Sequence, residues 1–306
     1  MTPTSGTRAI LAALAANAGI AAAKFVGFLV TGSSSMLAES VHSVADTSNQ
    51  ALLLLGQRAA RKQADALHPF GYGRSRYFWS FVVALVLFTL GSVFALYEGY
   101  HKITHPAELS SPVVALVILA VAIGLEAFSF RTAVVESRPL KGNGSWWRFI
   151  RHSRNPELPV VLLEDTGALV GLMFALAGVG LTAATGDPVW DGVGTIGIGA
   201  LLGLIATILM VEMHSLLIGE GATPAQTRAI REALESTERV ERLIHLRTQY
   251  LGPDEMLVAA KIAVAPQVEL ATVAATIDAA EANIRAAVPA AQVIYLEPDL
   301  DRAVTR

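Results

Sequence analysis

Long apolar runs separated by short polar links dominate the first part of this chain of 306 residues. Each run reaches or exceeds the roughly 20 residues that an α-helix needs to cross the hydrocarbon core of a bilayer. The pattern therefore predicts six membrane-spanning helices. Their bounds are Ala9–Thr31, Ser34–Ala59, Tyr77–Tyr100, Ser111–Val135, Leu158–Thr185 and Val189–Leu217.

The last part of the chain, residues 218–306, has shorter apolar runs and predicts a small domain outside the membrane. Its periodicities, with a Gly-Pro-Asp turn between the first two strands, predict the order αββαβ. The predicted elements are a helix over Thr223–Glu235, strands over Val240–Tyr250 and Glu255–Val264, a helix over Glu269–Val288 and a strand over Gln292–Glu297. We therefore expect an α-helical membrane protein with six transmembrane helices in residues 1–217. A C-terminal cytoplasmic ferredoxin-like α+β domain is expected in residues 218–306.

The composition fits a protein that lies mostly in lipid. Hydrophobic residues make up 53% of the chain and charged residues only 16%, against roughly 25% charged residues in soluble domains. The near balance of 23 basic and 26 acidic residues indicates no nucleic acid as a partner. Because the chain has no cysteine, a transition-metal site must use histidine, carboxylate or backbone ligands. The sequence has no H-E-x-x-H motif that would indicate an intramembrane hydrolase, and we expect no enzymatic activity.

Basic residues mark one side of the predicted bundle. They fall in the links between the second and third spans and between the fourth and fifth, whereas the opposite links hold only Lys102. Under the positive-inside rule this distribution places both termini in the cytoplasm. The N-terminal run has no small-residue cleavage site, so we interpret it as a retained first span of a multi-pass integral membrane protein. A bacterial inner (plasma) membrane is the expected location.

Two ionisable residues, His42 and Asp46, interrupt the second apolar run. A charge at the centre of a spanning helix costs about 2.5 to 3.5 kcal/mol on insertion scales, so such residues usually face a partner, an ion or water. Their spacing of four places both side chains on one helix face, where a nitrogen and a carboxylate oxygen can bind one divalent cation. The alternative interpretation is a structural pair that holds helices together.

Five segments resemble the cation diffusion facilitator family and occur at the topological positions typical of that family. They are Ser-Met-Leu-Ala-Glu-Ser-Val-His-Ser-Val-Ala-Asp at 35–46, His-Pro-Phe-Gly-Tyr-Gly-Arg at 68–74, Leu-Leu-Glu-Asp-Thr at 162–166, Leu-Leu-Ile-Gly-Glu-Gly at 216–221 and His-Leu-Arg-Thr with a later Gly-Pro at 245–253. The resemblance covers nearly the whole chain. It implies a homodimeric secondary transporter that exports zinc or a related divalent cation, usually in exchange for protons.

The resemblance also implies a tetrahedral transport site with two ligands from the second span and two from the fifth. His42 and Asp46 match the first pair, and Asp165 matches one member of the second. Val161 stands four residues before Asp165, where the family usually has His or Asp. This departure leaves three matched protein ligands, and the fourth position falls to a water molecule or to a neighbouring carboxylate.

Two carboxylates are candidates for that fourth position. Glu164 lies on the span that lacks a ligand, but its side chain points about 100° away from that of Asp165 on an ideal helix. Glu39 shares one helix stripe with His42 and Asp46, since the three positions follow the i, i+3, i+7 spacing. The sequence leaves both candidates open.

Other polar residues of the spans are Glu126 on the fourth and Asn17 with Lys24 on the first. They line the path of the cation or of protons, or they form hydrogen bonds between helices. In the link between the second and third spans, Asp65 and His68 match two ligands of a second metal site found in relatives. Tyr72 stands where a further histidine is expected, so this loop should bind metal weakly or not at all.

The C-terminal domain also departs from relatives that bind metal there through several histidines. The positions concerned read His245, Ala260, Ala274 and Tyr295, with Glu297 and Asp299 as possible oxygen ligands. We therefore expect no binuclear zinc site in this domain and expect it to act mainly in dimerisation.

The donor types suggest which ion the membrane site takes. A nitrogen ligand beside carboxylates favours Zn²⁺, Co²⁺ or Fe²⁺, whereas an all-oxygen site better suits Mn²⁺ or Mg²⁺. Zn²⁺ is the expected transported ion, other divalent transition metals are alternatives, and no organic cofactor is expected. The expected partners are the cation, protons, the lipid bilayer and a second copy of the chain. A membrane metal sensor or scaffold without net transport is the alternative function.

Overall fold

The computed structural model describes residues 5–142 and 144–300, with side chains described from residue 18 onward except at 140 and 152. The first eight helices are α1 (Ser5–Thr31), α2 (Ser34–Ala60), α3 (Ser75–Val86), α4 (Phe94–Thr104), α5 (Pro112–Lys141), α6 (Trp146–His152), α7 (Glu157–Thr185) and α8 (Val189–Ile218). The remaining elements are α9 (Pro224–Glu235), β1 (Val240–Gly252), β2 (Glu255–Val264), α10 (Leu270–Ala287) and β3 (Ala291–Asp299). A π-helical segment, Leu87–Val93, joins α3 to α4, so the third predicted span is one continuous helix.

Within the described residues, four helical segments are long and apolar enough to cross a membrane: Ser75–Thr104, Pro112–Pro139, Glu157–Thr185 and Val189–Ile218. The described part of α1 is a shorter apolar helix, Ala18–Thr31. Helix α2 is 27 residues long but carries many polar side chains, most of them buried. All six predicted segments are thus helical, while membrane crossing by α1 and α2 stays a prediction.

Helix α6 and the extension of α5 to Lys141 lie outside the predicted spans. The Ser145 hydroxyl caps α6 by accepting a 3.2 Å hydrogen bond from the Arg148 backbone N–H. Arg151 of α6 pairs with the largely buried Glu212 of α8, with Nε and Oε1 2.9 Å apart. This tertiary ion pair connects α6 to α8. The sequence has no apolar periodicity that predicts α6.

The chain divides into two compact units, and the first comprises residues 1–56 and 78–213. Its apolar core contains Val83, Leu119, Leu172 and Leu202 among other fully or almost fully buried side chains. Glycines allow helices to approach closely in this core. A Cβ on Gly178 would lie 2.9 Å from the Trp190 carbonyl oxygen, so α7 and α8 pack backbone to backbone.

A buried carboxylate, Asp191 at the start of α8, caps the N-terminus of α2. Its two oxygens accept hydrogen bonds from the hydroxyls of Ser33 and Ser34 and from the backbone N–H groups of Ser34 and Ser35, at 2.8 to 3.3 Å. Lys102 Nζ lies 4.0 Å from Asp191 Oδ2. Free N–H groups at a helix start attract a negative charge, so this contact fixes where α2 begins.

The second unit comprises residues 57–77 and 214–306. Strand β2 is central in its sheet, antiparallel to β1 and parallel to β3. The helices α9 and α10 contact each other, and they pack on β1 and β3 respectively. Thr223 begins α9 in a capping box with Gln226. The predicted order αββαβ is confirmed. Strand β1 ends two residues later than expected, and β3 begins one residue earlier and ends two residues later.

The loop 57–77 contacts the turn between β1 and β2 inside this second unit. Arg76 Nη1 lies 2.9 Å from Asp254 Oδ2. A Cβ on Gly73 would lie 2.7 Å from the Leu251 carbonyl oxygen, so only glycine permits this approach of two backbones.

Candidate metal centre

The pair His42 and Asp46 lies on the inward face of α2. His42 is fully buried, and its Nε2 lies 3.5 Å from Asp46 Oδ2. In the part of the chain that the structure describes, neither ring nitrogen of His42 nor Oδ1 of Asp46 has a hydrogen-bond partner. Buried polar atoms normally have a partner, so these donor atoms are available to a ligand.

A small cavity lies next to Asp46 and is lined by residues of four helices, α1, α2, α5 and α7. It measures about 30 Å³, which is enough to hold a water molecule. Its lining residues are Ile20, Ser43, Asp46, Gln50, Glu126, Ser129, Val161, Glu164 and Asp165. Residues predicted as ligands from α2 and α7 therefore border one small cavity.

Asp165 is positioned by α5. The Ser129 hydroxyl donates a 3.1 Å hydrogen bond to Asp165 Oδ2. Val161 lines the same cavity one turn earlier on α7, so the missing ligand leaves an apolar patch on the cavity wall.

Glu164 points towards α2 and lines the cavity together with Asp165. Its side chain is only 5% exposed, and its Oε1 accepts a 2.6 Å hydrogen bond from the Asn49 side chain. Because Glu164 and Asp165 are adjacent on α7, their side chains leave the helix in different directions, as the sequence predicts. They nevertheless line the same cavity. The space lies between the two directions, so both carboxylates border it.

Glu39 has different surroundings. It is not among the lining residues, and its Oε2 accepts a 3.1 Å hydrogen bond from the buried ammonium of Lys24. The other oxygen, Oε1, abuts Gly171 of α7. Of the five predicted site residues, Asp46, Glu164 and Asp165 line one cavity, His42 adjoins Asp46, and Glu39 is paired with a lysine.

No three His, Asp or Glu side chains of the described residues are close enough together to hold a metal ion as they stand. The ligand roles of these residues therefore stay predictions.

The sequence indicated some of the lining residues only in part and others not at all. Glu126 of α5 was expected to line a path or to form a hydrogen bond, and it lies on the cavity wall 3.9 Å from Lys24 Nζ. Ser43 and Ser129 were not predicted, because hydroxyls are common in spanning helices and carry no distinctive spacing. The side chain of Asn17 lies outside the described residues.

The loop 64–76 has its own network. The Tyr72 hydroxyl donates a 2.7 Å hydrogen bond to Asp65 Oδ2, and the backbone N–H of His68 donates one of 2.7 Å to Oδ1. These bonds, that from Tyr72 foremost, lower the pKa of Asp65, and the same contact raises the pKa of Tyr72. Tyr72 stands at the position where a histidine was expected, and its hydroxyl binds the carboxylate that a metal ion would need.

In the C-terminal domain a lysine side chain contacts the carboxylates that were considered as metal ligands. Lys261 Nζ lies 2.9 Å from Glu297 Oε1 and 2.9 Å from Asp299 Oδ2. The hydrogen bond to Asp299 and then that to Glu297 raise the pKa of Lys261. His245 is exposed and is paired in register with Lys261 on the neighbouring strand. The two candidate oxygen ligands are therefore both bound to a lysine of the protein itself.

Comparison with known proteins bears on the whole chain. Residues 10–218 match the family model described as the cation efflux transmembrane domain. Residues 222–299 match the model described as the cation efflux protein, cytoplasmic domain. The two matches together cover almost all of the described residues.

Several characterised proteins are similar in sequence. The human proton-coupled zinc antiporter SLC30A9, mitochondrial, is 34% identical over 231 residues, which are 75% of this chain and 41% of that protein. Metal tolerance protein C4 of Arabidopsis thaliana is 31% identical over 257 residues, 83% of this chain and 56% of that protein. The magnetosome protein MamM of Magnetospirillum gryphiswaldense is 26% identical over 241 residues, with 75% and 68% covered. The chain thus spans less than two thirds of the length of the first two relatives.

Proposed function

Since the chain belongs to the cation efflux family, also known as the cation diffusion facilitator family, we propose that it is a secondary transporter that exports a divalent cation from the cytoplasm. The observation that carries this proposal is the cavity between α1, α2, α5 and α7. Carboxylates from separate helices border it. The buried His42 lies 3.5 Å from the lining residue Asp46 and has no hydrogen-bond partner among the described residues. Ionisable groups inside a membrane domain are retained for transport or for binding an ion.

We propose His42, Asp46 and Asp165 as ligands of the transported ion. Glu164 is the better supported candidate for the fourth position, because it lines the cavity and Glu39 does not. A nitrogen donor beside carboxylates favours Zn²⁺, with Co²⁺, Fe²⁺ and Mn²⁺ as alternative substrates. The name of the human relative, a zinc antiporter, agrees with this choice.

Proton exchange follows from the chemistry of these donors. His42 must be neutral and the aspartates ionised to bind a metal, so protons and metal compete for the same atoms. A site that opens alternately to each side then releases metal outside and returns protons inward. The human relative is named as proton-coupled, which supports this part of the proposal.

The architecture proposed for this function has six spans in residues 1–217, with both termini in the cytoplasm of a bacterial cell and α1 and α2 completing the bundle. The polar face of α2 then points to the protein interior, where buried polar residues of spanning helices normally lie. We propose that residues 218–306 form a ferredoxin-like dimerisation domain, since the matched family model describes a cytoplasmic domain and the order αββαβ is present.

Transport by the purified full-length chain in proteoliposomes tests this function. A zinc-sensitive dye inside the vesicles reports Zn²⁺ entry, and a pH-sensitive dye reports proton movement in the opposite direction. Asp46→Asn and Asp165→Asn should abolish Zn²⁺ flux, whereas Asp278→Asn on the exposed surface of α10 should not. Normal flux in both cavity variants would refute the site.

The same vesicles separate the remaining alternatives. Zn²⁺ flux that does not change with an imposed pH gradient would refute the proposed proton exchange but not the proposed Zn²⁺ transport. Zn²⁺ binding without any flux would indicate the sensor or scaffold. Competition of Zn²⁺ flux by Co²⁺, Fe²⁺ and Mn²⁺ ranks the substrates.

A further inference from the structure

Lys24 of α1 is a buried lysine next to the cation cavity, and the proposed transport mechanism does not use it. Its side chain is 1% exposed. The ammonium donates hydrogen bonds to Glu39 Oε2 at 3.1 Å and to Ser43 Oγ at 2.9 Å, and it lies 3.9 Å from Glu126 Oε1. Taking an ammonium out of water is costly unless it is paired, so this lysine is held by its carboxylate partners.

The contacts of Lys24 connect it directly to the cavity. Ser43 and Glu126 are both lining residues, whereas Glu39 is not. The positive charge therefore lies at the edge of a space proposed to take a second positive charge. Two cations a few ångströms apart repel each other strongly where water does not screen them.

Lys24 bonds only one of the two oxygens of Glu39, and Oε1 has no hydrogen-bond partner among the described residues. One oxygen is bonded to Lys24, and the other lies so close to α7 that a Cβ on Gly171 would come within 2.7 Å of it. A carboxylate fixed between an ammonium and a neighbouring helix has its charge already compensated. It offers the transported ion less than an unpaired carboxylate would.

We propose that Lys24 is a resident counter-cation that occupies Glu39, keeps it out of the ion's coordination and lowers the affinity of the cavity for its divalent substrate. A moderate affinity serves a transporter, because the ion must leave the site again on the other side. Glu126 lies between the two cations and is shared: it faces Lys24 when the cavity holds no ion and turns to the ion when one is bound. This inference rests on the proposed function.

Affinity measurements on four forms of the full-length protein test the inference. Isothermal titration with Zn²⁺ compares the wild type with Lys24→Met, Glu39→Gln and the double variant that carries both changes. Lys24→Met should bind Zn²⁺ about tenfold more tightly, because repulsion is removed and Glu39 is released. Glu39→Gln should bind about tenfold more weakly, because the charge of the ammonium at the cavity edge is then no longer compensated by Glu39. The double variant should return close to the wild type.

Two controls keep the test decisive. Lys24→Arg retains the charge and should not tighten Zn²⁺ binding as Lys24→Met does. If Lys24→Met does not fold, the comparison of Glu39→Gln with the double variant replaces it, because the double variant removes both buried charges. The double variant should then bind Zn²⁺ about tenfold more tightly than Glu39→Gln.

Opposite results overturn the inference. Weaker Zn²⁺ binding by Lys24→Met would make the lysine a structural support. A double variant as weak as Glu39→Gln would make Glu39 a ligand in its own right. Failure of the proposed function gives a different result. The wild type and Asp46→Asn then do not differ in Zn²⁺ binding, and the inference about Lys24 is refuted as well.

Discussion

The Asn49 amide donates a 2.6 Å hydrogen bond to Glu164 Oε1 and so joins the buried face of α2 to α7. Both side chains are buried, and Glu164 borders the cavity that we propose for the transported ion. Because the bond takes one carboxylate oxygen, it sets the direction in which Glu164 presents its charge. The position of the candidate fourth ligand is thus determined by a residue on another helix.

Glu164→Gln separates the charge of Glu164 from its shape. The amide can still accept the hydrogen bond from Asn49, so the helices should stay in place, but a metal ligand is lost. We expect Zn²⁺ affinity to fall about tenfold if Glu164 ligates the ion. Titration calorimetry measures this change, and thermal unfolding of the same sample serves as the control for folding. An unchanged affinity would leave Glu164 as a structural partner of Asn49.

Val161→His places a nitrogen donor where the ligand is missing. Val161 lines the cavity one helical turn before Asp165, so the new side chain starts from the cavity wall. A fourth protein ligand should tighten Zn²⁺ binding about tenfold or more and slow release of the ion during transport. Val161→Leu, which adds volume without a donor, should not tighten binding. Equal affinities for the two variants would argue against Asp165 as a ligand.

Asp191→Ala should destabilise the first unit without touching the cation cavity. The substitution leaves the first N–H groups of α2 and two serine hydroxyls without their acceptor. Loss of a buried cap costs about 2 kcal/mol or more in the free energy of unfolding. A fluorescence-detected thermal melt in detergent measures the loss. Asp191→Asn retains one acceptor oxygen and should lose less, and equal losses would contradict the capping role.

Tyr72→Phe should loosen the loop 64–76 to the same extent at pH 6 and pH 7.5. The lowered pKa of Asp65 means that its bonds stabilise the loop above the ordinary carboxyl pKa of about 3.9. This stabilisation is lost only as the pH falls through the still lower pKa of the folded protein. Asp65 is therefore ionised at both pH values. Hydrogen exchange of the loop amides, corrected for intrinsic rates, measures the effect.

The outcome that contradicts this prediction is an effect of Tyr72→Phe that grows between pH 7.5 and pH 6. His68 Nδ1 lies 3.5 Å from Asp65 Oδ1. A change over this range would identify a histidine as the partner that governs the loop. His68→Gln in the same background would then remove the pH dependence.

Much of the helical framework could be read from the sequence, because apolar length and hydropathy decide where a chain enters lipid. The ends of the second predicted span agree with α2 to within one residue. The strand over Glu255–Val264 agrees throughout. Helix α6 was missed, since it is stabilised by an ion pair between Arg151 and Glu212 that only tertiary packing creates.

The sequence by itself determined the family, the polar stripe that contains His42 and Asp46, and the gap at Val161. These depend on residue type and spacing along one helix, which a linear pattern records. The tertiary structure decided which acidic side chains share the cavity and which are bound by other residues of the protein. Lys24 forms an ion pair with Glu39, the Tyr72 hydroxyl donates a hydrogen bond to Asp65, and Lys261 forms ion pairs with Glu297 and Asp299. Such pairings join residues far apart in the chain or on separate elements. A carboxylate's availability to a cation depends on these neighbours in space, and the order of residues does not state them.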